Sequence, residues 1–81
     1  MNKPKREITR REVKSSQIKS IGYDNESSTL EVEFTSKGNP IWHYQPITAE
    51  GYHALLNAES IGKYFIANVR DNTLVTAIKL E

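Results

Sequence analysis

Six residues constrain the chain most: Ile41-Trp42-His43-Tyr44-Gln45-Pro46, which hold the sole tryptophan and one of four tyrosines. Side chains alternate along a strand, so Trp42 and Tyr44 share one face while Ile41, His43 and Gln45 share the other. Pro46 lacks the N–H needed to continue a ladder and ends the strand. Upstream, Leu30, Val32 and Phe34 alternate with Thr29, Glu31, Glu33 and Thr35. Period two with one polar face predicts an antiparallel sheet covered on one side only. Trp42 and Tyr44 are expected on the covered side with Leu30, Val32 and Phe34, leaving an outer face that is polar except for Ile41.

The flanking segments fit that sheet. Asp24-Asn25-Glu26-Ser27-Ser28 and Ser36-Lys37-Gly38-Asn39-Pro40 are turn chemistry. Ile18 and Ile21 are three apart, which breaks strand alternation. Ile18 is therefore expected to pack from a turn that Ser15 and Ser16 cap, with a strand beginning near Lys19. Beyond Pro46, Thr48 is the expected N-cap of a helix, with Ile47 and Tyr52 at hydrophobic-staple spacing and Tyr52, Leu55 and Leu56 facing inward. Ser60 caps a second helical segment from Ile61 to Arg70, with Ile61, Phe65 and Val69 inward. The prediction is an α+β domain: a three-stranded antiparallel sheet packed on one face by two short helices. Residues 73–81 alternate like a further strand, expected to add a fourth strand at the sheet edge or to pair with a second copy of the chain.

Composition narrows the function classes. Eighty-one residues suggest one domain. There is no cysteine, hence no disulfide framework or thiol nucleophile. No apolar run approaches the roughly 20 residues of a membrane span, and the basic N-terminus lacks the apolar stretch of a secretory signal. A cytoplasmic location and no membrane partner are the expectations. The net charge of +1 conceals an asymmetry. Residues 1–14 carry six basic against two acidic side chains, a net +4, and the remainder carries a net −3. Residues 1–12 are expected to be a basic flexible arm, able to attract phosphate or simply solvated. An acidic body is not the usual footprint of a dedicated nucleic-acid domain.

The order and spacing of several short patterns resemble the KTSC domain family. They are Val13-x-Ser15-Ser16-x-Ile18-x-x-Ile21-Gly22-Tyr23-Asp24, Thr29-Leu30-x-Val32-x-Phe34, Trp42-His43-Tyr44, and Leu55-Leu56-x-Ala58-x-Ser60-x-Gly62-Lys63-Tyr64-Phe65. The resemblance spans about residues 13–72. Trp42 stands where the family usually has Tyr, Ile66 where Asn is common, and residues 73–81 extend past the usual end. The family takes its name from the C-terminus of some lysyl-tRNA synthetases. Membership implies a small α+β domain without known catalysis, frequent as a stand-alone protein of bacteria and phages, for which nucleic-acid binding has been suggested by association.

No catalytic motif is present, and neither a cofactor nor a metal is expected. His43 and His53 have no carboxylate at a recognisable ligand spacing. Ser60-x-Gly62-Lys63 at a helix start offers free N–H groups, a close-approach glycine and a cation for phosphate, although a capped helix with one exposed lysine is the commoner reason for such a pattern. Arg70, seven residues on, is expected to align with Lys63 as a cationic stripe. Arg10, Arg11 and Lys14 add charge, Tyr64 a stacking surface, and His43 a surface contact on the outer sheet face. Two functions follow. One is a non-enzymatic module binding RNA or a phosphate-bearing nucleotide. The alternative is a phage-type inhibitor or protein-interaction domain that self-associates through residues 73–81, as a homodimer or higher. It would engage a host factor or sequester a nucleotide signal at a subunit interface.

Overall fold

In the computed structural model, which describes residues 8–80, five strands form one antiparallel sheet. β1 is Arg10–Glu12, β2 Ile18–Asp24, β3 Thr29–Phe34, β4 Ile41–Gln45 and β5 Thr76–Lys79. Helices α1 (Ala49–Leu56) and α2 (Ile61–Phe65) and a π-helical turn (Ile66–Arg70) connect β4 to β5. Spatial order equals chain order, so β1 and β5 are the two edges. The α+β antiparallel expectation stands, with more strands than expected. The extra one is β1, since Arg10, Arg11 and Glu12 pair with Gly22, Ile21 and Ser20. The part of the expected arm from Arg10 to Glu12 is therefore sheet; residues 1–7 lie outside the described residues.

Register places the apolar side chains together. Val32 lies between Ile21 and Trp42, and Leu30 between Tyr23 and Tyr44. With Ile18, Ile47, Leu55, Phe65 and Val69 they make the core under the helices. Ile18 belongs to β2 after all and is fully buried. A bulge between Ile18 and Ser20 breaks the register, so two isoleucines three residues apart reach the same face. The expected caps are present. Thr48 Oγ1 accepts from Gly51 N at 3.0 Å, Ser60 Oγ from Lys63 N at 3.3 Å, and Ser15 Oγ from Gln17 N at 3.2 Å. Ile47 is buried, and Tyr52 stacks on Tyr23 with ring centroids 4.9 Å apart.

The opposite face differs from expectation. Ser20, Asp24, Thr29, Glu31 and His43 are all buried there. Glu31 Oε1 meets His43 Nε2 at 2.7 Å, and its other oxygen accepts from Arg10 of β1. Arg10 Nε donates to Ser20 Oγ at 3.0 Å, and Ser20 donates to Glu33 Oε1 at 2.7 Å. Gln45 donates to Thr29. Four strands are thus laced by one polar network, and every buried side-chain polar atom among the described residues is partnered. Gly22 permits this cover. A Cβ there would lie 2.6 Å from both the Thr9 carbonyl oxygen and Ile8 Cγ2.

Candidate functional site

The site is built on the helix-covered face, where the sheet runs out from under its roof. Trp42 and Tyr44 stand on one face of β4 with rings nearly parallel, 6.3 Å apart at an interplanar angle of 18°. Tyr44 and Phe34 each meet Phe65 edge-on, at 5.2 and 5.6 Å. Phe65 is buried and anchors this aromatic group from α2. Beyond Phe65 the helix widens. Asp71 N donates to Ile66 O at 2.9 Å, five residues back. That π register keeps Val69 buried and brings Arg70 to the rim. Such widened turns recur at functional sites. The chain then returns as β5, where Ala77 lies opposite Tyr44. Together Phe34, Trp42, Tyr44, Val69, Arg70, Val75 and Ala77 line a pocket of about 290 Å³.

Its electrostatics are simple. Burial pushes the Tyr44 phenol up to about 12, partly opposed by the positive charge of Arg70. Tyr44 therefore stays protonated across the neutral range and able to donate a hydrogen bond. Arg70 Nε lies 3.3 Å from Asp71 Oδ1, with both side chains about 60% exposed (59% and 60%). A pair so exposed contributes little and exchanges readily for another anion. The pocket is thus an aromatic and aliphatic cleft with a neutral phenol in its wall and one cation at its mouth. It suits a planar, uncharged ring that carries an anionic group.

The residues expected from sequence scatter. Arg70 reaches the pocket; Lys63 is exposed and does not border it, because the π turn changes the helical phase between them. Ser60 is a cap. Gly62 is buried, with Gln17 Oε1 and Ser15 Oγ 3.3 and 3.4 Å from where its Cβ would be, so the start of α2 packs on the Ser15 turn. Tyr64 packs half-buried against the core. Arg11 and Lys14 are exposed on the β1 side of the sheet, across from the pocket. Arg10 is held by Glu31, with Glu33 Oε1 3.7 Å from its Nε. The expectation of His43 as a surface contact is corrected: it is 8% exposed and bound to Glu31. His53 is exposed on α1. Among the described residues no three His, Asp or Glu side chains group as metal ligands, and no helix is long and apolar enough to cross a membrane.

From sequence, Phe34, Trp42 and Tyr44 are expected on the core side of the sheet. Tyr44 is buried, but Trp42 and Phe34 are only half-buried, because the roof ends beside them. The remaining lining, Val69, Val75 and Ala77, carries no chemical signature that a motif search would find.

Comparison with known proteins follows this architecture. The family model for the KTSC domain matches residues 14–72. A crystal structure of a KTSC domain protein from Yersinia pestis superposes with a TM-score of 0.81 at 27% identity, covering 93% of this chain and 100% of that one. An uncharacterized protein of Stutzerimonas stutzeri (strain A1501) is 42% identical over 53 residues, 65% of this chain and 72% of that protein.

Proposed function

The chain belongs to the KTSC domain family, and we propose that this member is a non-enzymatic binding module for RNA or a phosphate-bearing nucleotide, with the β4–β5 pocket as its site. The observation that carries this reading is the joining of Trp42, Tyr44 and Phe34 with the cation of Arg70 around one small cleft. A base offers a flat π surface to aromatic rings, which is worth roughly 1–3 kcal/mol per base. Its phosphate pairs with the guanidinium in place of Asp71. Tyr44, protonated at neutral pH, supplies a hydrogen-bonding group at the base edge.

Trp42 is the sole tryptophan and lines the pocket, so its fluorescence reports occupancy directly. Titration with nucleoside monophosphates and with mixed RNA at low salt is expected to change that signal, and added salt is expected to reverse it for RNA. An unchanged spectrum with every nucleotide and RNA tested at low salt rejects the reading.

A second reading rests on a different observation. β5 is an edge strand, and Leu74 just before it and Ile78 within it are 82% and 49% exposed. Exposed apolar side chains on an open strand edge favour pairing with a second copy or another protein. Light scattering across a wide concentration range tests it: a strict monomer throughout removes self-association.

A further inference from the structure

We propose that the pocket takes a nucleotide from the interior of a single RNA strand, with one flanking phosphate at Arg70 and the other at Lys79. This inference rests on the reading that the pocket holds a base. What it adds is a second phosphate contact and therefore a preference for a strand over a free monophosphate.

The register of β5 carries the argument. Trp42 is paired with Lys79 and Tyr44 with Ala77. Directly opposed residues on neighbouring strands project to the same face. Ala77 lines the pocket with Tyr44, so Lys79, two residues further along the same strand, stands on that face beside Trp42. Ile78, between them, is paired with His43 and belongs to the other face. The two stacked aromatic rings of β4 are therefore bracketed. Arg70 lies at the pocket mouth by Tyr44, and Lys79 stands on the outer strand by Trp42. Lys79 is exposed.

The size of the cleft selects one ring system. At about 290 Å³ it sits at the small end of ligand pockets. One base fits, and its neighbours along a strand must remain outside. A base held by aromatic side chains with its two phosphates outside, each near a cation, is the arrangement of a nucleotide inside a strand. A free monophosphate satisfies only one of the two cations. Asp71 pairs with Arg70, and that exposed pair is replaced by the phosphate.

The test compares three probes by Trp42 fluorescence at low salt: adenosine 5′-monophosphate, adenosine 3′,5′-bisphosphate and an eight-residue oligoadenylate RNA. The bisphosphate and the oligomer are expected to bind about tenfold more tightly than the monophosphate, one charge-assisted contact's worth. Lys79→Gln is expected to erase that advantage, and to reduce the salt slope of oligomer binding by about 0.7. Circular dichroism of the variant checks that it is folded. Equal binding of the monophosphate and the bisphosphate, with Lys79→Gln silent, overturns this proposal while leaving the pocket reading in place. No signal from any probe overturns both.

Discussion

The two faces of the sheet are both buried, by opposite chemistry. The face under the helices holds Ile18, Ile21, Leu30, Val32 and Tyr44, and closes by area alone. The other face holds Ser20, Thr29, Glu31 and His43; Arg10 pairs with Glu31 there, and the chain at Ile8 and Thr9 crosses it at Gly22. Apolar burial is non-directional and tolerates imprecision. A buried carboxylate does not, since each oxygen needs a partner or costs several kcal/mol. The difference teaches that period two in β3 identifies two faces but does not say which of them is wet.

The comparison is broken most severely on the apolar side. Leu30 is fully buried between Tyr23 and Tyr44. Leu30→Ala is expected to cost about 3 kcal/mol or more in denaturant unfolding, the sum of lost transfer energy and a cavity. A loss below about 1 kcal/mol means that the helical roof collapses onto the gap and that packing here is loose.

The same face has its own pH dependence, at the alkaline end. With the folded Tyr44 phenol at about 12 and the unfolded one near 10, the unfolded chain loses its proton first. The folded state then binds more protons, so stability falls as pH rises from about 10 to 12 and is unaffected by this group below 10. The loss amounts to about 2–3 kcal/mol. Unfolding curves of Tyr44→Phe over that interval should lack this component; an identical alkaline decline in both proteins means that the phenol is not desolvated.

Arg10→Met probes the polar face. Its side chain is 29% exposed, so the penalty should fall below that of a fully buried pair, at about 2 kcal/mol. The signature is specific: Glu31 and Glu33 lose their shared cation, and hydrogen exchange should show β1 opening ahead of β2 and β3. Unchanged protection at Arg11 and Glu12 would mean that the backbone pairing of β1 suffices without the charge. Gly22→Ala asks the same of shape. The added methyl meets the Thr9 backbone, which cannot rotate away, for an expected loss of about 1–2 kcal/mol; a neutral result places the chain at Thr9 further from the sheet.

The smallest effect is the most diagnostic for assembly. Ile78→Thr on β5 should change stability by less than about 0.5 kcal/mol in a monomer, since the residue is half exposed. A concentration-dependent loss above about 1 kcal/mol would show that Ile78 is covered by another chain.

Much of the fold could be read from local chemistry. Thr48, Ser60 and Ser15 announce their caps because a hydroxyl serves N–H groups two or three residues away. Strands β2, β3 and β4 follow from alternation, turns and Pro46. β1 could not be read: Arg10-Arg11-Glu12 has the composition of a solvated arm, and its partners, the β2 backbone and the Glu31 and Ser20 side chains that receive Arg10, are distant in sequence. The candidate site was half readable. Arg70 and the aromatics stand out by residue type, but their meeting depends on a π turn and on the register of β5, and neither leaves a periodic trace.

The sequence by itself determined which side chains alternate, where helices begin, where turns fall and which family the chain resembles. Each of those depends on neighbours within a few residues, which any stretch of chain carries with it. Tertiary structure alone decided that His43 is buried, that Arg10 is a clasp and that Lys79 stands beside Trp42. Those outcomes depend on which strand edges meet and in what register, and that is set by the packing of the whole chain.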